Sequence, residues 1–333
     1  MLKPEPGHPE TRIMATGVLG AIACGAGIAA QTRINGQLGA EIGDGYVAAV
    51  ISFGSGLVVL LVLLLVSRAA RQGLGIIIGG LRTGRVPWWM VLGGSAGALF
   101  VLSQGLAAGV LGIAVFTVAV VFGQTISGLV IDRRGLGSAA PPTITPARIV
   151  GSALMLAAVT LIVSTQFASR VPLWLVLLPL AAGFAIPWQQ AVNGQIRVIS
   201  GSPIAATLLN FVVGTTLLGL ACVVNALLVG LPQEYPTNPV LYLGGVIGVG
   251  FIALGAILAP RIGVLLLALG TISGQLVVAL LLDVVVPADG HPLALTTVIG
   301  AAITLIALAI AALPSPKVRP SPKVRVPRGN SRP

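Results

Sequence analysis

Residues 46–66 read YVAAVISFGSGLVVLLVLLLV, an apolar run without one charged side chain. At 1.5 Å rise per residue, about 20 such residues cross the hydrocarbon layer of a bilayer. Similar runs recur along the whole chain, which is 56% hydrophobic and only 8% charged, with mean hydropathy +1.03. Soluble domains carry about 25% charged residues, so an aqueous surface could not be covered here. A β-barrel is excluded too, because its strands are short and alternate in polarity. The 44 glycines suit helices that approach closely in lipid. The expected fold class is an all-α polytopic membrane protein.

Ten spans are expected, near 13–34, 46–66, 88–106, 109–131, 147–166, 172–192, 203–229, 240–259, 262–286 and 293–313. The connections hold the breakers and charges, among them SRAARQGLG, LRTGRVP and DRRGLGSAAPPTITPAR. With the N-terminus inside, 17 of the 19 Lys and Arg residues face the cytoplasm, leaving only Arg33 and Arg170 outside. That asymmetry follows the positive-inside rule and places both termini in the cytoplasm of a multi-pass inner-membrane protein. The first span has a counterpart deep in the chain, so it is a span and not a cleaved signal.

Residues 314–333 repeat Ser-Pro-Lys-Val-Arg and are rich in proline, which predicts a basic, disordered cytoplasmic tail. Its charges suit an anionic inner leaflet, and no nucleic-acid partner is expected. Cys24 and Cys222 lie inside apolar runs and read as small buried hydrophobes. His8 and His291 lie in connecting segments, so no metal or cofactor is expected. No Gly-Lys-Ser/Thr phosphate loop occurs, so ATP drive is unsupported.

Residues 31–39, QTRINGQLG, and 189–197, QQAVNGQIR, carry the same polar phrase 158 positions apart. At that offset Phe53 falls on Phe211 and Gly56 on Gly214. At 151, Gly93-Gly94 falls on Gly244-Gly245, Gly123-Gln124 on Gly274-Gln275 and Asp132 on Asp283. Polar residues recurring in order with few gaps mark an internal repeat. The division expected is a cytoplasmic segment 1–12, a first five-helix repeat 13–166 and a second 172–313. Five is odd, so the second repeat enters the bilayer from the opposite face, an arrangement common in secondary transporters.

These residues resemble the YdcZ-like branch of the drug/metabolite transporter superfamily. The likeness rests on QTRINGQLG…AAVISFGSG and QQAVNGQIR…AATLLNFVVG, and on VFGQTISGLVIDRRG and TISGQLVVALLLD. APRIG before the ninth span fits the family's Pro-x-Leu/Ile-Gly start, whereas the first half departs from it with AAGVLG. The likeness covers residues 13–313 as a fused two-repeat form. It implies ten helices around a central cavity and a transporter whose cargo it does not name.

Polar side chains inside a span need a reason to be there. Gln31, Gln124, Gln189 and Gln275 are candidates for binding a polar or zwitterionic solute or a planar heterocycle, with Trp188 available to stack on a ring. Neutral amides donate and accept without the cost of a charge. The same amides can instead tie helices together. Asn35, Gln37, Asn193 and Gln195, one or two turns beyond, read as gating or structural, with a cap or hinge at each Asn-Gly. Asp132 and Asp283, in the last turns of their helices, read as gates or caps. No carboxylate lies mid-span, which favours facilitated diffusion or exchange over proton antiport. The expected function is a secondary transporter of small polar or zwitterionic metabolites or drug-like solutes, acting as a monomer or homodimer. A scaffold subunit is the alternative. A lipid-modifying enzyme lacks any catalytic constellation.

Overall fold

A computed structural model describes residues 9–134, 145–164, 173–285 and 295–311. The tail expected at 314–333 and most of the segment at 1–12 lie outside the described residues, as do the side chains of Asp132 and Asp283. No strand occurs among the described residues. The helices are α1 (Pro9–Ile42), α2 (Gly45–Val66), α3 (Arg68–Arg82), α4 (Gly93–Ser103), α5 (Gly109–Arg133), α6 (Pro146–Ser164), α7 (Leu173–Ser200), α8 (Pro203–Val229), α9 (Gly244–Ile262), α10 (Val264–Val285) and α11 (Leu295–Ala311).

Six helical stretches among the described residues are long and apolar enough to cross a membrane: Met14–Ile42, Gly45–Val66, Trp88–Ala108, Leu175–Ser200, Pro203–Val229 and Pro239–Ile262. Their outer faces carry exposed large hydrophobics such as Leu65, Leu227 and Leu228, as lipid requires.

Local chemistry repeats with the sequence. Gly43 (φ 74°) and Gly201 (φ 67°) take the left-handed conformation that lets the chain turn back. Each is followed by an extended N-cap: Asp44 accepts from the amides of Tyr46 and Val47, and Ser202 accepts from that of Ala205. Short 3-10 turns, Trp88–Leu92 and Pro239–Tyr242, lead into α4 and α9.

Packing is reciprocal. α1 lies against α9 and α10, while α7 lies against α4 and α5; α2 meets α8, and α6 meets α11. Exchanging the two halves maps each of these contacts onto another or onto itself.

Three features differ from the expectation. α1 runs through Asn35-Gly36 to Ile42, so no cap lies at that dipeptide; Gly43 turns the chain instead. The segment expected as a loop after α2 is the helix α3. Ser67 caps it, and Ala70, Gly73 and Ile77 bury one face against α7 and α8. Arg68, Arg71 and Arg82 stay exposed, and the Arg71 guanidinium donates to the carbonyls of Leu64 and Leu65 that close α2. Finally, α4 passes into a π-helical turn at Gln104–Ala108.

Candidate functional site

Between the halves lies a cavity of about 600 Å³, counted to its mouth. Cys24, Ile28 and Gln31 of α1, Phe53 of α2 and Gly97, Phe100 and Val101 of α4 form one wall. Ile186, Gln189, Gln190 and Asn193 of α7, Phe211 of α8 and Phe251, Ile252, Gly255 and Ala256 of α9 form the other. Four amides (Gln31, Gln189, Gln190 and Asn193) and four phenylalanines dominate the lining. Gln31 Oε1, Gln189 Nε2 and Gln190 Oε1 are buried without a hydrogen-bond partner. Leaving such groups unmade costs about 1–3 kcal/mol each, so they point to a ligand or another conformation.

Glycines set the amide positions. A Cβ on Gly97 would lie 2.8 Å from Gln189 Nε2 and 3.1 Å from Phe53 Cζ. In the other half, a Cβ on Gly248 would lie 2.7 Å from Gln31 Nε2 and 3.3 Å from Phe211 Cζ. Each glutamine thus lies in a slot that its partner half keeps open by having no side chain. Gln31 Nε2 also donates to the Gly244 carbonyl at 2.8 Å, which fixes its orientation.

One pair of corners breaks the symmetry. Gln104, fully buried in the π-turn, donates through Nε2 to Thr32 Oγ1 at 2.7 Å and accepts at Oε1 from Asn35 Nδ2 at 3.0 Å. This clasp joins α1 to the end of α4. The positions corresponding to Thr32, Asn35 and Gln104 are Gln190, Asn193 and Gly255. Gly255 has no amide to offer, and a Cβ there would meet nothing within 4 Å. Gln190, Asn193 and Gly255 line the cavity instead. On α1 the lining stops at Gln31, while on α7 it reaches Asn193, so the cavity extends toward the α7 C-terminal end, and none of Thr32, Asn35 and Gln104 lines it.

The other candidates lie elsewhere. Trp188 is half-buried on another face of α7 and packs with the clusters around Leu258 and Met90. Gln124 is buried, with neither amide atom partnered, away from the cavity wall. Gln275 lines a smaller space of about 360 Å³ with Thr32, Arg33 and Thr117. Gln37 is exposed and donates to Glu41 at 2.8 Å; Gln195 is half-buried. Gln104 and Gln190 carry no repeat signal in the sequence, because neither has an amide at its repeat-related position. Cys24 contributes the cavity's one thiol, which donates to the Phe251 carbonyl at 3.5 Å. Among the described residues no three His, Cys, Asp or Glu side chains gather as a metal site.

A bundle with lipid-facing outer helices and a central amide-lined cavity is a multi-pass membrane protein built like a transporter. The chain belongs to the family described as "Putative inner membrane exporter, YdcZ", whose pattern matches residues 16–161 and again residues 174–310. It is thus a multi-pass inner-membrane protein of a transporter family. A solved structure described only as "Crystal structure of protein" is similar in fold, with TM-score 0.59 and 17% identity over 90% of this chain and 96% of that one. No curated protein matches the chain in sequence.

Proposed function

We propose that the protein is a secondary transporter that moves small polar or zwitterionic metabolites or drug-like solutes by alternating access, without ATP. In this reading residues 13–166 and 172–313 are inverted five-helix repeats, giving ten spans with both termini cytoplasmic. The distribution of arginines supports that orientation, and the reciprocal packing of the halves supports the repeat.

The observation that carries the proposal is the unequal pair of corners beside the cavity. Thr32, Asn35 and Gln104 are joined by hydrogen bonds, while their counterparts Gln190, Asn193 and Gly255 line open space. Two equivalent gates, one shut and one open, are what alternating access requires at any instant. With the arginine-rich ends inside, the clasp is the closed outer gate and the cavity faces the cytoplasm. In the opposite state the clasp parts and Gln190 and Asn193 move onto α9. Gln31 and Gln189, held at the centre by the glycine slots, meet solute in both states.

Flux into proteoliposomes tests this reading. Wild-type protein should exchange labelled solute, and Gln31→Ala or Gln189→Ala should raise KM about three- to tenfold, the worth of one neutral hydrogen bond. Absence of flux from protein that is demonstrably folded would sink it and favour a scaffold.

A further inference from the structure

We infer that the cavity selects an uncharged, flat solute whose edge carries an amide or lactam, with a hydrogen-bond donor beside an acceptor. The inference rests on the cavity being the transport site.

Charge is the first criterion. The lining includes no Asp, Glu, Lys, Arg or His. An ion entering would leave water with no counter-charge to meet, at heavy desolvation cost. Helix N-termini sometimes substitute for a cation, but the first turns of α4 and α9 do not line the cavity, whose lining on those helices begins at Gly97 and at Phe251. Anions are therefore disfavoured along with cations, and among the solutes proposed above the uncharged polar ones are favoured over zwitterions.

Shape is the second. The rings of Phe53 and Phe211 meet with centroids 4.8 Å apart, and each ring shares a glycine slot with one glutamine, Phe53 with Gln189 and Phe211 with Gln31. Phe100 and Phe251 add two further rings to the wall. Aromatic surfaces favour a flat partner over a bulky one.

Hydrogen bonding is the third. The unpartnered buried atoms are one donor, Gln189 Nε2, and two acceptors, Gln31 Oε1 and Gln190 Oε1. A hydroxyl could satisfy one of them. An amide or lactam edge, with N–H beside C=O, satisfies a donor and an acceptor together.

A matched set of pyrimidines tests all three criteria on the full-length protein in detergent. Uracil is neutral and lactam-edged. Orotate adds a carboxylate to the same ring, 5-aminomethyluracil adds an ammonium, and 1,3-dimethyluracil lacks both N–H donors. Uracil should raise Tm progressively as its concentration rises above Kd and bind at least tenfold tighter than the other three. Gln190→Leu removes an acceptor for the solute N–H, so it should weaken uracil about tenfold and leave 1,3-dimethyluracil unchanged. Gln189→Leu removes the donor to C=O and should weaken both, and it replaces the first variant where that one does not fold. Equal or tighter binding of orotate or 5-aminomethyluracil overturns the inference, as does a folded protein whose Tm uracil does not move. Labelled uracil flux is read separately in proteoliposomes. Uracil bound but not carried upholds the ligand class while overturning the transport reading. A charged solute carried where uracil does not bind does the reverse.

Discussion

The rings of Phe53 and Phe211 touch at 4.8 Å between centroids and 31° between planes, although 158 residues separate them in the chain. They are the same position in the two halves, met as a tilted pair where α2 packs against α8. An aromatic pair of this kind contributes about 0.5–1.5 kcal/mol beyond its area. Phe53→Leu and Phe211→Leu should each lower Tm. The double variant should lose less than the sum of the singles, because the second change removes a partner already gone. Additive losses in a double-mutant cycle would show that the rings do not act together.

The glycine slots make a sharper prediction. Gly97→Ala and Gly248→Ala force their Cβ onto the ends of Gln189 and Gln31, flexible groups that can move aside. Both variants should fold, yet lose solute binding by tenfold or more. Gly54→Ala and Gly219→Ala, where a Cβ meets nothing within 4 Å, should change neither binding nor Tm. Equal effects at all four sites would remove the slots from the binding geometry.

The clasp can be broken or copied. Gln104→Leu strands the buried Asn35 Nδ2 and removes the donor to Thr32, at a cost of about 1–3 kcal/mol. It should lower Tm and, by weakening the closed gate, increase labelling of a cysteine placed at Ala108 by an impermeant maleimide. Gly255→Gln meets nothing within 4 Å at its Cβ, faces the cavity, and supplies the amide that Gln190 and Asn193 lack. It should raise Tm while slowing flux at least tenfold, since a state held shut at that end is more stable and less mobile. Unchanged flux from the folded Gly255→Gln variant would count against the gate assignment.

Caps at the two Gly turns should differ in weight. Ser202→Ala removes one bond, to the Ala205 amide, and should cost about 1 kcal/mol. Asp44→Ala removes two amide acceptances and also the 2.8 Å bond from Asn225 Nδ2, which ties α8 to the start of α2. Its Tm loss should be the larger of the two; an equal loss would show that the Asn225 bond adds nothing.

Much of this was legible in the residues. The apolar runs located the helices because lipid demands continuous hydrophobicity, and the twice-written Gln-x-x-x-Asn-Gly-Gln drew attention to Gln31, Gln189 and Asn193, all of which line the cavity. The α3 helix was hidden, because its three arginines and four glycines break the apolar run that signals a span. Its burial depends on where α7 and α8 lie. Asn35-Gly36 suggested a helix end, yet glycine closes a helix only where φ is positive, and that condition falls at Gly43. Gln124 and Gln275 share the repeat but not the cavity, since which face of a helix turns inward is decided by packing. Gln104 carries no signal in the repeat, since its counterpart is Gly255, and its importance lies in not recurring.

That mismatch has a consequence for genetics. Two separate, identical five-helix subunits would carry the same residue at both corners, so a glutamine at one would be a glutamine at the other. Having both halves in one chain frees each corner to vary alone, and here one holds Gln104 and the other Gly255. Under the gating proposed above, the resting bias between the two faces of the membrane can then be tuned by a single codon.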